Sequence, residues 1–171
     1  MNKLQIHRLL LIVILSSSIC LSSCEKEEET TEESEYPEYV IFGKYTSNEW
    51  CNDETCIEMF KITTNGLYED LLDNSPIEGQ TYYGNFASEL SQADYDFILD
   101  VLEGKSYQVL FEQEDASLGN LFSSNTHFYF EYKSKTIHKA WLIDGSFDGS
   151  LPAIVQPFML ELNQIVSVAQ F

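Results

Sequence analysis

The sequence predicts an α+β domain: an antiparallel β-sheet built from hairpins, with two helices packed on one face. Three observations carry that expectation. Two pairs of aromatic and β-branched runs flank short turn signals, at Asn65-Gly66 and at Ser134-Lys135. Two later segments repeat apolar residues at helical spacing. The order along the chain is strands, helix, strands, helix, which suits hairpin-paired strands with helices laid over them.

The elements follow in order. Tyr39 to Thr46 reads as a strand. Thr55 to Thr63 and Leu67 to Leu72 flank Asn65-Gly66, a strong hairpin signal because both central residues of such a turn take positive φ. A two-residue turn there sets Thr64 opposite Leu67 and Lys61 opposite Asp70, a favourable cross-strand charge pair. Asp73 to Gln80 contains Asn74, Pro76 and Gly79 and reads as a loop, and Thr81 to Phe86 reads as a further strand. Ser91 with Asp94 three residues on forms an N-cap signal. Tyr95, Ile98, Val101 and Leu102 then follow at helical spacing up to Gly104. Tyr107 to Glu112 reads as a strand, and Glu114 to Asn125 as polar and irregular. His127 to Lys133 and Thr136 to Ile143 form the second hairpin. The last element carries Val155, Phe158, Met159, Leu162, Ile165 and Val166 in one stripe. Pro157 lacks an N–H, so the regular helix is expected to start close to Val155, with Pro152 to Ile154 as a separate turn.

Charge excludes one class of partner. The chain has 171 residues, with 28 Asp and Glu against nine Lys and Arg. Lys3 and Arg8 precede Cys24, so the rest carries 28 acids, seven lysines and no arginine, a net charge of −21. No basic face is available for phosphate contacts, so nucleic acid is not an expected partner. Anionic bilayers repel such a body too, and membrane attachment must come from something other than charge.

The first 23 residues supply that attachment. Lys3 and Arg8 form a charged leader, and Leu9 to Leu15 is continuously apolar. The apolar stretch is short for a span of roughly 20 residues, and it ends on Leu21-Ser22-Ser23-Cys24. This box resembles the lipobox of bacterial lipoproteins. The resemblance implies cleavage before Cys24 and acylation of its thiol with chains such as palmitate. Each buried methylene contributes about 0.8 kcal/mol, and two or more chains hold stably where one does not. The membrane is thus an expected partner through the lipid anchor. Residues 24–38 then read as an acidic, disordered tether, with Glu25, Glu27, Glu28 and Glu29 at its head. That cluster resembles the surface-export signal of Bacteroidetes lipoproteins, which implies surface display, the periplasmic face of the outer membrane being the alternative. Residues 39–171 form the single α+β domain.

Few constellations in that domain suggest chemistry. Cys51 and Cys56 enclose four residues. In an exported protein a disulfide is the expectation, with a chain-entropy contribution of about 2 kcal/mol for so small a loop. His127, Glu131 and His138 invite a zinc hypothesis if Ser134-Lys135 is the turn. Glu131 lies four residues from His127, about 13 Å at roughly 3.3 Å per residue, whereas zinc needs ligands about 2 Å from one point. A surface pair of Glu131 with His138 is the simpler expectation, and no metal site follows. Asp144, Ser146 and Asp148 place oxygens at the first, third and fifth positions of half a calcium loop, but Val155 stands where the bidentate Glu belongs. The alternative is a pair of tight turns capped by Asp148 or Ser150. No G-x-S-x-G and no phosphate-binding glycine loop occurs. Catalytic residues are therefore expected to be none, and likewise cofactors. Trp50, Tyr82, Tyr83 and Trp141 could stack on sugars, though strand aromatics are more often core.

The stretches FGKYTSNEWCNDETCIEMFKITTNGLYED and KAWLIDGSFDGSLPAIVQPF resemble a group of uncharacterised Bacteroidetes lipoproteins. The resemblance implies the location and an α+β fold, and it brings no activity or site residue. The expected function is a lipid-anchored outer-membrane or cell-surface lipoprotein acting as a non-enzymatic binding or accessory module, with a protein or glycan ligand unidentified. A carboxylate-based hydrolase of glycans or peptides and a weakly calcium-stabilised adhesion module are the alternatives.

Overall fold

A computed structural model describes residues 37–46, 56–72, 74–122, 125–146 and 149–170. The chain divides into two units, Met1–Ser34 and Glu35–Phe171, and the described residues all belong to the second. The lipobox Leu21, Ser22, Ser23 and Cys24, together with Cys51, lies outside the described residues.

The fold is α+β. Its strands are β1 (Tyr39–Thr46), β2 (Ile57–Thr63), β3 (Gly66–Asp70), β4 (Phe86–Glu89), β5 (Ser117–Leu118), β6 (Thr126–Lys133) and β7 (His138–Asp144). The helices are α1 (Gln92–Glu103), a 3-10 helix (Ser106–Glu112) and α2 (Gln156–Ala169). The seven strands form one sheet in the order β4-β3-β2-β1-β6-β7-β5. All its pairings are antiparallel except the two-residue parallel match of β5 with β7. β1 sits at the centre, with Phe42 opposite Phe60 on one side and Phe130 on the other.

Both predicted hairpins form, each two residues away from the expected register. Thr63 pairs with Gly66 around a Thr64-Asn65 turn, and Asn65 donates its backbone N–H to Thr63 Oγ1 at 3.0 Å. Lys61 therefore faces Tyr68 instead of Asp70, and its ammonium lies 4.4 Å from the Tyr39 ring centroid. In the second hairpin Lys133 pairs with His138, which sets Ala140 opposite Glu131. Ser134 and Ile137 close the four-residue loop. A two-residue slip preserves the face of every side chain, so the apolar pattern could not resolve it.

One sheet face is buried under the helices. Val40, Phe42, Phe60, Phe130, Trp141 and Ile143 meet Ile98 and Leu102 of α1 and Phe158, Leu162 and Ile165 of α2. α1 starts as predicted: Ser91 Oγ accepts the Asp94 N–H at 3.2 Å. α2 begins directly after Val155, which makes no side-chain cap bond, and holds Pro157 in its first turn, where a missing donor costs nothing. Tyr107 to Glu112, expected as a strand, instead belongs to the 3-10 helix Ser106–Glu112. Its Tyr107 and Leu110 are buried three residues apart, and Tyr107 stacks on Tyr132 at 5.4 Å. Tertiary burial overrides strand propensity here. Thr81 to Phe86 is not the expected strand either, since β4 begins only at Phe86.

The opposite face is also covered, by the connection 71–85 rather than by a helix. Tyr82 of this strap packs with Ile41, Ile57, Met59, Tyr129 and Ala140. Gly43 lies on this face. A Cβ there would sit on the Glu58 carbonyl oxygen and within 2.8 Å of Met59 Cα.

Candidate functional site

The polar centre of the molecule lies under the strap. Alternation along β6 puts Tyr129 and Glu131 on the strap side. Glu131 is 0% exposed. Its Oε1 accepts from Tyr39 Oη at 2.9 Å and from His138 Nε2 at 2.8 Å. Its Oε2 accepts from Tyr129 Oη at 2.6 Å and from the Tyr82 backbone N–H at 2.8 Å. Four donors meet the roughly four lone-pair positions of a carboxylate, the condition under which a carboxyl group can be buried at a tolerable cost. The sequence-predicted surface pair of Glu131 and His138 is therefore a contact between a buried carboxylate and a half-exposed imidazole, diagonal across the strands.

The surrounding phenols are held as donors. Burial, and then the Glu131 charge and hydrogen bond, push the Tyr39 hydroxyl well above the ordinary tyrosine range. Burial and the hydrogen bond to Glu131 do the same to Tyr129. Tyr129 Oη also lies 2.7 Å from the Gln80 carbonyl oxygen, so its single proton is shared between strap and sheet. A second buried acid fastens the strap's other part: Asp70 accepts from Tyr82 Oη at 2.7 Å and from the Asn85 N–H at 2.5 Å.

His138 links this interior to the surface. Its Nε2 is taken by Glu131, with Thr81 Oγ1 at 3.3 Å, while about a third of the side chain is exposed. It lines an open recess of about 220 Å³ together with Gly79, Gln113, Glu114, Asp115 and the stretch Lys139 to Trp141. The recess thus runs beside the first half of β7. Trp141 at 2% exposure and Tyr82 at 6% belong to the core and offer no stacking platform, whereas Tyr83 is exposed. Trp50 lies outside the described residues.

Other predicted site residues fall elsewhere. Asp144 is fully buried at the end of β7. Its carboxylate accepts from Ser146 N at 2.9 Å, Ser146 Oγ at 2.9 Å, Asn120 N at 3.0 Å and Ser150 Oγ at 2.8 Å. These bonds close the turn after β7 and tie it to Asn120, beside Gly119, whose φ is 87° and where an added Cβ would lie 2.5 Å from Asp144 Cβ. Asp148 of the calcium half-loop lies outside the described residues. His127 bonds the Leu121 carbonyl through Nε2 at 3.0 Å and stacks on Tyr45, four residues along β6 from Glu131. No group of three or more potential metal ligands occurs among the described residues. Cys56 immediately precedes β2, packed beside the strap-side core. Its expected partner Cys51 lies outside the described residues.

Composition alone did not single out Asp70, Tyr39, Tyr129 or the strap. Alternation along β6 sets Phe128, Phe130 and Tyr132 on the helix face and His127, Tyr129, Glu131 and Lys133 on the other, so the pattern marks Glu131 as solvent-facing, and only the strap's cover buries it. Comparison with protein-family models, with characterised proteins and with solved structures finds no match.

Proposed function

We propose that this chain is a lipid-anchored outer-membrane or cell-surface lipoprotein whose α+β domain serves as a non-enzymatic binding module. The box Leu21-Ser22-Ser23-Cys24 behind an apolar leader is the observation that carries it. Acyl chains on Cys24 would hold a body of net charge −21 at a surface that repels it. Support for the binding role comes from how the buried acids are used. Glu131, Asp70 and Asp144 each bond main-chain donors and side-chain hydroxyls that shape the fold.

The test is Cys24→Ala with metabolic fatty-acid labelling and envelope fractionation. The expected result is loss of label and release from the envelope fraction. A variant that keeps both overturns the anchor. Protease shaving of intact cells separates surface display from the periplasmic face. Robust turnover by the purified chain in a hydrolase panel overturns the non-enzymatic role.

A further inference from the structure

The recess follows a sheet edge that its neighbour leaves uncovered. β7 pairs along its whole length with β6, but on its other side β5 matches only Leu142 and Ile143. Three hydrogen bonds set which way each β7 residue points. Ser134 N bonds Ile137 O and Gly145 N bonds Thr126 O, so Ile137 and Gly145 turn toward β6. Leu142 N bonds Ala116 O, so Leu142 turns outward. Alternation then aims the N–H and C=O of His138 and Ala140 outward as well. Both residues line the recess, and among the described residues neither has a backbone partner on that side. Ala140 is nonetheless 92% buried (8% exposed), so its open main-chain groups reach solvent only through this opening.

We infer that the outer edge of β7 between His138 and Leu142 is a docking site for an extended, basic peptide segment of another protein, which adds to the sheet as a strand. The inference rests on the binding-module reading and names its partner's chemistry. The open stretch is about 13 Å long at roughly 3.3 Å per residue, and offers two outward residues, each with a donor and an acceptor. An exposed edge with open donors and acceptors is a template for such pairing. Charge selects the occupant. The segment leading into β5 lines the recess with exposed Glu114 and Asp115, and β7 lines it with one lysine, the exposed Lys139. A second copy of the chain or its own acidic tether brings further negative charge to the same place, whereas lysine or arginine on an incoming strand pairs with the two acids.

The probe is an octapeptide of alternating lysine and valine, titrated at low salt into the full chain in neutral detergent micelles. Binding is followed by fluorescence anisotropy and amide hydrogen exchange. The expected result is saturable binding, with exchange of the His138 and Ala140 amides slowed about tenfold or more. The Lys139 and Trp141 amides, already bonded to β6, stay unchanged. A glutamate-valine octapeptide and a backbone N-methylated lysine-valine octapeptide are expected to bind about tenfold more weakly or worse. Paired Glu114→Lys and Asp115→Lys substitutions, at exposed positions, weaken the lysine peptide by about fivefold. Ala140→Pro, which removes a donor from the unpaired side of a strand, abolishes binding. If Ala140→Pro does not fold, the surface double variant still decides. Equal binding of the glutamate or N-methylated peptide, or no protection of the two amides, overturns the proposal. So does protection that grows with the chain's own concentration, which assigns the edge to a second copy. Such failures alongside normal labelling at Cys24 and absent turnover remove only this edge and leave the anchored binding module standing.

Discussion

Glu131→Gln probes the most concentrated set of interactions in the molecule. The substitution preserves shape and replaces one acceptor oxygen by an NH2 group. Four donors converge on the carboxylate, from Tyr39, His138, Tyr129 and the Tyr82 backbone. The amide oxygen can keep two of them, and the side holding Tyr129 and Tyr82 suits it best because the Tyr82 N–H cannot rotate away. The NH2 group then faces Tyr39 and His138. The phenol can turn to accept, and the imidazole can adopt the tautomer that accepts through Nε2. The rearranged network is neutral throughout. Hydrogen bonds to charged groups contribute about 1.5–3 kcal/mol each against about 1 for neutral ones. Four such bonds are not additive, so the expected net loss is about 2–4 kcal/mol. Glu131→Ala removes the acceptor of the Tyr82 N–H and of the Tyr39 hydroxyl, while Tyr129 keeps the Gln80 carbonyl and His138 keeps Thr81 and solvent, so the expected cost is about 2–6 kcal/mol at about 1–3 for each lost acceptor. Urea unfolding followed through buried Trp141 measures both variants. The Tyr82 amide should lose most of its exchange protection in Glu131→Ala, because the strap is released there first. A Glu131→Gln variant within about 0.5 kcal/mol of the parent, with the Tyr82 amide as protected as before, refutes the view that this carboxylate fastens strap to sheet.

Three further outcomes follow from the same geometry. Gly43→Ala forces β1 and β2 apart at the Glu58 carbonyl, and is expected to cost more than the about 1–3 kcal/mol of ordinary overpacking, measured by the same unfolding assay. Ser91→Ala removes the cap of α1 and is expected to cost about 1 kcal/mol, whereas Ser91→Asp restores most of it. Stability is expected to fall steeply in alkali. Tyr129 and Tyr107 have hydroxyls raised above the ordinary value of 10.0, Tyr107 by burial and then Tyr132 to about 12. Above pH 10 the unfolded chain loses these protons while the folded one keeps them, so stability drops between about pH 10 and 12, by about 1.4 kcal/mol per pH unit for each group. Phenolate absorbance titrated alongside unfolding checks this, and two buried tyrosines that ionise near pH 10 in the folded protein contradict it.

Local pattern sufficed wherever one short-range rule decided the structure. The lipobox resemblance, the acid-rich tether and the charge argument against nucleic acid are expectations that rest on residue order alone. The α1 cap is a contact between Ser91 and Asp94, three residues apart, and the α2 stripe repeats within single turns. The β1, β2, β6 and β7 alternation set each side chain's face, which is why the α+β class was readable. Register was not, because a hairpin slipped by two residues satisfies the same alternation, and the choice lies in the loop bonds of Thr63-Asn65 and Ser134-Ile137. Tyr107 to Glu112 has strand-forming residues but docks as a 3-10 turn against Tyr132 and Phe130.

The candidate site depends on longer distances still. Glu131 meets Tyr39 across 92 residues of chain, Tyr82 across 49 and His138 across seven. No periodicity reports that a connection with Asn74, Pro76 and Gly79 will fold back over the sheet's second face. Nor does it report that β5 will stop after two residues and leave part of β7's edge open. Residue order therefore determined the expected delivery of this chain and the sidedness of its strands, because signals of that kind act over a few neighbouring residues. Packing alone decided which acids are buried, what they hold and which backbone groups stay open, because those depend on segments that meet only once the sheet is assembled.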